Sequence, residues 1–481
     1  MVKDFVSYKD FGAVGDGISD DMEAIALCHE YANKNSIPVV AGEGKYYIGA
    51  KDITAVIMTD TDFSDAEFII DDKNPENIRQ HCFYVKSAAE HFWPEISSIA
   101  VNQKKLDFPH KGNIYVRVFS DKRVYIRKGL NKNNGTDAAD SILVDNEGNV
   151  GCGINWEYEK IKNAYAFSVD DAPLTIKGGR FTTIANRAES KYNYHERNIL
   201  ITRSNVTVDG LTHFVTGEGE HGAPYSGFIC VNECSNITLR NCCLTPHKTY
   251  YTESQIPGEQ VPMGSYDLNF YAVIGLRLEN ISQTIDIRDE RYWGLMGSNF
   301  CKNVYLDGCT MSRFDAHCGV TGCEIKNCRL GHMGVHLIGF GKILIENTTV
   351  YNKHFVTFRD DYGANFNGEL VIRSCIWKPI PDNREIYNVF QAVNEGDHDF
   401  GYYCTMPKRI VIENMMIDDS SVGADCRFVI FGDYDSSFND NKPYPYGIPE
   451  NVSVDISISS GKAIEPFADP LLYNGLNIEF N

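Results

Sequence analysis

The chain has 481 residues, more than one ordinary globular core can bury, and its formal net charge is −20. This acidic balance disfavours nucleic acid, anionic membranes, and polyanionic substrates that lack a bridging cation. Aromatic residues make up 12% of the chain, a content that suits carbohydrate-binding surfaces and β-sheet cores equally.

The first predicted element is a helix at about residues 19–34. It follows the sequence Asp10-Phe-Gly-Ala-Val-Gly-Asp-Gly-Ile-Ser-Asp-Asp21, in which Ser19 suits an N-cap and the acidic residues after it fall in the first turn, where the helix dipole favours them. The open end of a β solenoid exposes core and strand edges, so we expect the helix to cover that end. Residues 1–50 are therefore expected to form an N-terminal cap and the first strands.

Residues 51–165 are expected to form a flanking or inserted β segment, with paired strands at 100–104 and 116–120. Residues 166–430 follow as stacked β coils. Within them lies a long insertion at 245–272, which is equally consistent with one wall of a binding site and with an ordinary loop. Residues 431–481 are expected to form a C-terminal loop and cap.

A seven-residue phrase that recurs among the coils predicts their architecture. Three copies are Asn303-Val-Tyr-Leu-Asp-Gly-Cys309, Gly322-Cys-Glu-Ile-Lys-Asn-Cys328 and Lys342-Ile-Leu-Ile-Glu-Asn-Thr348, which begin 19 and 20 residues apart. Alternation with period two indicates a half-buried strand, and the Asn or Gly after it indicates a tight turn with a left-handed backbone. A fixed unit of this length with insertions is typical of a solenoid.

We predict an all-β fold: a right-handed parallel β-helix, or solenoid, with an N-terminal capping helix and long loop insertions. A leucine-rich repeat would need a dense leucine framework, which this sequence lacks. An antiparallel β-sandwich with chance similarity between its strands is the alternative.

The 15 cysteines indicate buried thiols and not a disulfide framework. Cys242, Cys309, Cys328 and Cys375 share one repeat position and should stack in the core as small apolar residues. We expect no metal site and no cofactor, because no zinc-type cysteine spacing is present. Free thiols, and an N-terminus without a long apolar run, predict a cytoplasmic protein.

The sequence from Asp10 to Asp21, followed by Ala24-Ile25, resembles the N-terminal signature of the pectate-lyase-like superfamily of β-helix proteins. That group includes polygalacturonase-type glycoside hydrolases, lyases, epimerases and phage tailspikes. The signature covers about 40 residues, the coil repeats extend the likeness to roughly residues 170–420, and the resemblance implies the β-helix fold. The aspartates of the signature are expected to cap the fold and to take no part in catalysis.

Ionisable residues on three successive coils form the candidate catalytic site. Alternation points Asp315, His317, His336, Arg359 and Asp361 away from the core, and coils about 4.8 Å apart would bring them into one patch. Carboxylates can cleave a glycosidic bond as an acid and base pair, and histidine can tune them. A solvated polar surface is the alternative interpretation.

The residues beside this patch are similar in kind to the polygalacturonase-type pattern. That pattern has an Asp, an Asp pair, a Gly-His-Gly and a basic residue on successive coils. This chain offers Asp315, Gly331-His332-Met333-Gly334 and Arg359-Asp360-Asp361, in a different order. We expect His332, Asp360 and Tyr362 to contact substrate.

A second candidate is the Gly-rich loop Thr216-Gly-Glu-Gly-Glu-His-Gly-Ala-Pro-Tyr-Ser-Gly-Phe228. Its side chains Glu218, Glu220, His221 and Tyr225 are expected either to contact a sugar or to belong to an ordinary loop.

The resulting hypothesis is hydrolysis of a glycosidic bond in a neutral or weakly charged oligosaccharide or polysaccharide. Asp315 and Asp361 would act as an inverting acid and base pair with His336 between them, and Arg359 and His317 would position the sugar. One alternative is a polysaccharide lyase or epimerase acting on uronate sugars, and another is a non-enzymatic, tailspike-like glycan-binding protein. No nucleic acid or membrane partner is expected; a homo-oligomer is possible.

Overall fold

The computed structural model describes residues 4–126, 134–254, 256–359, 366–382, 384–392, 405–432, 447–468 and 475–481. A 3-10 helix, Tyr8–Phe11, and an α-helix, Met22–Asn35, lie at the N-terminal end. The strands before the coils that carry the site are Asp16–Asp20, Val39–Val40, Lys45–Ile48, Ala55–Ile57, Thr61–Asp71, Phe83–Val85, Ile114–Val124, Thr136–Val144, Asn163–Ser168, Leu174–Ile184, Ile199–Ile201, Val206–Asp209, Thr212–Thr216, Ile229–Asn232, Ser235–Arg240, Cys243–Leu244, Tyr250–Glu253, Gln260–Met263, Leu268–Tyr271, Ile274–Glu279 and Ser282–Gln283. The remaining strands are Met296–Asn299, Cys301–Asp307, Thr310–Asp315, Val320–Lys326, Arg329–Leu337, Gly339–Glu346, Thr349–Val350, Val356–Phe358, Phe366–Arg373, Ile376–Trp377, Ile386–Ala392, Arg409–Ile417, Arg427–Phe431, Asn451–Ile458, Ile464–Phe467 and Ile478–Phe480.

The strands stack in parallel as coils with three faces, so the predicted parallel β-helix is confirmed. The first face runs in register through Cys301–Asp307, Val320–Lys326 and Gly339–Glu346. The second face follows the next turn, where Thr310 pairs with Arg329. The third face carries Asp315 paired with His336, and in earlier coils it is the six-stranded parallel sheet that ends at Met296–Asn299.

Asparagine in left-handed conformation turns the chain between the first and second faces. Asn280, Asn327 and Asn347 have φ of 53°, 54° and 48°, as the repeated phrase predicts. Their amides also form a ladder between coils: Nδ2 of Asn347 donates to Oδ1 of Asn327 over 2.6 Å, and Nδ2 of Asn327 donates to Oδ1 of Asp307 over 2.7 Å. These bonds fix the register of neighbouring coils at the corner.

The cysteines that follow this corner pack inside the solenoid. Cys242, Cys309, Cys328 and Cys375 are each at most 2% exposed, and all four are free thiols. The prediction that the cysteines at this position are buried and unbridged is confirmed.

The N-terminal helix packs on the first coils, but it begins at Met22 and not at Ser19. Ser19 lies within the short strand Asp16–Asp20, where its hydroxyl donates to Asp16, so its predicted N-cap role is wrong. The buried Asp21 occupies the N-cap position and turns its carboxylate away from the helix, accepting the backbone N–H of Val14 at 2.6 Å and of Gly15 at 3.1 Å. Two backbone donors of the preceding loop outcompete the helix for that carboxylate.

An antiparallel sheet of Ile114–Val124, Thr136–Val144 and Asn163–Ser168 flanks the coils. The predicted strand at 116–120 lies within it. The predicted strand at 100–104 is wrong, because that segment is a turn in which the backbone N–H of Gln103 donates to Ala100. The insertion at 245–272 contains an antiparallel hairpin, Tyr250–Glu253 with Gln260–Met263. In the described part of the chain, no helix is long and apolar enough to span a membrane.

Two substitutions of Asn327 distinguish the cost of left-handed backbone strain from the cost of losing the hydrogen-bond ladder. Asn327→Ala should lower the free energy of unfolding by about 1–3 kcal/mol, since it adds left-handed strain to the loss of the ladder bonds. Asn327→Gly should cost less, because glycine tolerates positive φ. Urea unfolding measures both, with Asn367→Ala on an exposed strand position as the control. Equal losses for the Ala and Gly variants would contradict the strain argument.

The side chains of Asp21 and Ser19 should differ sharply in their contribution to the free energy of unfolding. Asp21→Ala removes a buried carboxylate with two backbone donors and should cost about 2–3 kcal/mol or more. Ser19→Ala removes one exposed hydrogen bond and should stay within about 0.5 kcal/mol. Thermal and urea unfolding of the two variants measure this, and a larger loss for Ser19→Ala would restore the N-cap assignment.

Candidate functional site

The third face brings four predicted residues together around one carboxylate. Asp315 is fully buried; Nη1 of Arg359 donates to its Oδ1 over 2.6 Å. Its other oxygen accepts the hydroxyl of Tyr266 at 2.9 Å and pairs with Nη2 of Arg313 at 2.8 Å. Asp315 pairs with His336 of the neighbouring coil in the strand register. The imidazoles of His317 and His336 both lie close enough to lower the pKa of the Asp315 carboxyl. We call these residues the Asp315 patch.

The charges around Asp315 keep it ionised. Burial alone would raise the pKa of this carboxyl, but the guanidiniums of Arg313 and Arg359 hold the pKa far below its usual range, and two nearby histidines act in the same direction. A group that stays ionised at every working pH has no proton to give. This environment disfavours the predicted role of Asp315 as the acid of a glycosidase.

The two histidines of the patch are half-buried and therefore reachable from solvent. Nδ1 of His317 lies 2.8 Å from the amide oxygen of Asn299, which only accepts, so Nδ1 carries the proton as the side chains are oriented. A neutral ring in that tautomer holds its lone pair on Nε2 and can act as a base.

Arg313, Tyr266 and Trp293 belong to the patch although the sequence interpretation passed over them. The Arg313 guanidinium lies 5.1 Å from the ring centroid of Trp293 and 5.9 Å from that of Tyr266. Arg313 precedes Asp315 by two residues, so alternation alone could have placed both on the outer side. The two rings come from long insertions whose path no periodicity describes.

Three predicted residues lie outside the described part of the chain: Asp360, Asp361 and Tyr362. The proposed separation between the carboxyls of Asp315 and Asp361 therefore stays a prediction. Arg359, immediately before them, is described and reaches Asp315.

His332 lies in the same strand as His336, in its irregular part between the second and third faces. The pairing of Arg329–Leu337 with the preceding strand shifts register between Met311 and Arg313, so the strand bulges. The backbone N–H of His332 donates to the carbonyl of Ile287 at 2.9 Å, its Nδ1 lies 3.2 Å from the same oxygen, and burial lowers the pKa of its ring. Simple alternation fails across a bulge, so the direction of the His332 ring could not be counted from the sequence. Its predicted contact with substrate stays a prediction.

The second candidate loop divides into a buried half and an exposed half. Glu220 and His221 are exposed, whereas Tyr225 is buried and stacks on His247 with ring centroids 4.3 Å apart. Oε1 of Glu218 lies 3.0 Å from Nδ1 of His247. Burial opposes protonation of His247, but the hydrogen bond and charge of Glu218 prevail and raise the pKa of that imidazole.

A buried pair, His213 and Asp267, lies beneath His247, and together with Glu218 these residues form one polar cluster. Nδ1 of His213 lies 2.8 Å from Oδ2 of Asp267, and the same oxygen accepts the backbone N–H of Thr245 at 3.1 Å. Both side chains are at most 1% exposed, so no substrate reaches them. Since Thr245 and Asp267 bracket the hairpin insertion, the cluster anchors that insertion to the coils.

Insertions border the third face on both sides. The antiparallel sheet packs on the corner that follows this face: Arg117 donates to the hydroxyl of Tyr271 at 3.0 Å, and Tyr165 donates to Glu233 at 2.6 Å. The insertions that carry Tyr266 and Trp293 lie at the corner before it. The described residues contain no cluster of three or more His, Cys, Asp or Glu that could hold a metal ion.

A parallel β-helix with a polar, ionisable patch on one bordered face defines the class of this chain. The parallel β-helix fold that the resemblance implies is confirmed. No protein-family model matches the chain.

The similar proteins of known structure include phage tailspikes. The tailspike protein gp49 from Pseudomonas phage LKA1 matches with a TM-score of 0.58 and 14% identity, over 99% of this chain and 78% of that chain. The gp54 tailspike of Acinetobacter baumannii bacteriophage AP22, solved with a capsular saccharide, matches with a TM-score of 0.50 and 9% identity, over 99% and 79% of the two chains. These likenesses concern the fold.

In sequence, the chain is similar to a capsule KL64-specific depolymerase of Klebsiella phage P510. The two are 28% identical over 122 residues. The match covers 23% of this chain and 11% of the length of that protein.

Acid unfolding should report the ionised state of Asp315. Its lowered folded pKa stabilises the protein above the unfolded value of about 3.9, and this contribution is lost as pH falls below that value. Asp315→Asn should destabilise the protein by about 3–5 kcal/mol at pH 7 by leaving the guanidiniums uncompensated, and should flatten the further loss below about pH 4. Urea unfolding across pH measures both, with exposed Asp425→Asn as the control. An unchanged acid slope would contradict the ion pairing.

Proposed function

We propose that this chain is a polysaccharide-cleaving enzyme and that the Asp315 patch is its catalytic centre. The observation that carries the proposal is the convergence of Asp315, Arg313, Arg359, His317 and His336 on adjacent coils of one bordered face. Ionisable groups with strongly shifted pKa values mark functional sites more often than structural ones. The depolymerase relative and the saccharide-bound tailspike, as they are named, are consistent with a glycan ligand.

The two guanidiniums of the patch suit elimination on a uronate sugar. Arg313 and Arg359 converge on the carboxylate of Asp315 on the bordered third face. Such a site can attract the carboxylate of a uronate and stabilise the negative charge that develops when the neighbouring carbon loses its proton. The whole-chain charge alone disfavours this substrate.

The steps of this reaction fall to a few side chains. Neutral His317 or His336 takes the proton from the carbon beside the carboxylate. The electron pair of that C–H bond forms a carbon–carbon double bond, and the bond to the glycosidic oxygen breaks. The leaving oxygen takes a proton from Tyr266 or from the second imidazole. Asp315 holds both guanidiniums in place and keeps its charge throughout.

Hydrolysis is the second candidate, and one observation favours it. Arg359 reaches the patch, and Asp360 and Asp361 follow it directly in the sequence. One of these carboxyls would supply the acid that Asp315 cannot, and the other would activate water. Asp315 would then act only through its charge.

Product analysis on a fixed panel of polymers distinguishes the two reactions. We would incubate the protein with Klebsiella capsular polysaccharides, KL64 among them, with polygalacturonate and with dextran. Elimination yields fragments with an unsaturated end that absorbs ultraviolet light and with no added water. Hydrolysis adds one water per cut, which mass spectrometry detects.

Variants of the patch should lose activity without unfolding. His317→Ala and His336→Ala should each lower turnover by about 10²–10⁴-fold if that ring transfers the proton, with melting temperature nearly unchanged. His91→Ala, on an exposed ring outside the patch, serves as the matched control. Full turnover in both patch variants would move the chemistry elsewhere, and binding without cleavage across the panel would favour a tailspike-like glycan-binding protein.

A further inference from the structure

A cleft of about 710 Å³ opens at the corner between the second and third faces, outside the Asp315 patch. Its lining, called here the corner cleft, comprises Asp286, Arg288, Asp289, Tyr351, residues 378–381, Asp418, Ser420 and Ser421. Tyr351, residues 378–381 and Asp418 each directly follow a second-face strand, in three successive coils. Coils stacked about 4.8 Å apart give the cleft a length of about 10 Å along the solenoid.

The floor of the corner cleft is apolar and stiff. Pro379, Ile380 and Pro381 supply one stretch of it, and proline fixes the local backbone. Tyr351 supplies an aromatic ring, and Arg329 holds this ring in place. Nη2 of Arg329 donates to its hydroxyl at 3.1 Å, and the guanidinium lies 5.6 Å from the ring centroid. A fixed ring offers a flat surface at small cost in side-chain entropy.

The charges around the corner cleft are already paired. Nζ of Lys378 lies 2.8 Å from Oδ2 of Asp418, whose other oxygen accepts the hydroxyl of Ser420 at 2.7 Å. These hydrogen bonds, that of Lys378 first, lower the pKa of Asp418 to about 2. Arg288 pairs with Asp286 at 3.1 Å. Paired groups keep spare donors and acceptors but present little net charge, so they suit a ligand rich in hydroxyls and poor in charge.

We propose that the corner cleft is an accessory binding site for an uncharged segment of a polysaccharide chain. A sugar ring has an apolar face, which matches Tyr351 and the proline floor, and a rim of hydroxyls, which matches Lys378 and Asp418. The volume lies within the roughly 300–1,000 Å³ range of ligand sites. The identity of the polymer rests on the proposed function; the cleft itself binds the chain and takes no part in the chemistry.

If the corner cleft is an accessory site, substitutions in it should change binding of the polymer but not turnover. Tyr351→Ala should weaken binding of the polymer about tenfold, whereas Tyr351→Phe, which keeps the ring, should stay within about twofold of the unchanged protein. On a cleaved polymer, Tyr351→Ala should raise KM and leave kcat unchanged, because the chemistry is elsewhere. Tyr31→Ala, on a tyrosine that is 46% exposed on the N-terminal helix, is the control.

Calorimetric binding to the same polymer panel, in the His336→Ala background where cleavage is expected to be slow, measures these effects. Weaker binding for Tyr351→Ala supports the site even if no polymer is cleaved by the unchanged protein. Unchanged binding and KM in Tyr351→Ala, with cleavage intact, overturns the corner cleft and leaves the proposed function standing. Failure of the His336→Ala protein to bind any polymer of the panel also overturns it.

Discussion

In-register stacking of parallel coils is the constraint on which the rest of this molecule depends. Side chains alternate between core and surface, so a slip of one residue would turn every inward residue outward. The left-handed asparagines at the corner resist such a slip, because each turn amide bonds to the coil before it. Stacking also converts each sequence position into a row along the axis. The buried cysteines are one such row, and the outer side of the third face is another.

The sequence features that are local and periodic predicted the structure well. The repeated phrase indicated strand, turn and buried thiol for Cys309 and Cys328, and alternation placed Asp315 and His336 on the same outer side. The failures occur where periodicity breaks. His332 lies within a bulge, so counting by twos does not fix the direction of its side chain. Tyr266 and Trp293 reach the site from insertions, and no local rule states where an insertion returns to the surface.

The local charges of the candidate site cannot be inferred from the composition of the chain. A net charge of −20 describes the average field, yet two buried guanidiniums converge on the carboxylate of Asp315. Burying those cations is costly unless a charged partner accompanies them. Asp315 is that partner, and its ion pairs remove it from proton transfer. A carboxylate in a candidate glycosidase site is therefore a catalyst only if its neighbours leave its pKa near the working range.

The insertions make one face of a repetitive solenoid into a distinct site. A regular coil offers the same outer surface along its whole length, so specificity has to come from segments that interrupt the repeat. The flanking antiparallel sheet has an apolar core of its own. Buried polar links join the insertions to the coils: Asp140 of that sheet pairs with Lys302, and Asp267 pairs with His213 beneath the hairpin. Because such links are directional, they fix where each insertion lies over the third face. In the proposed site, the coils thus supply rows of ionisable side chains, and the anchored insertions would determine which part of each row a ligand reaches.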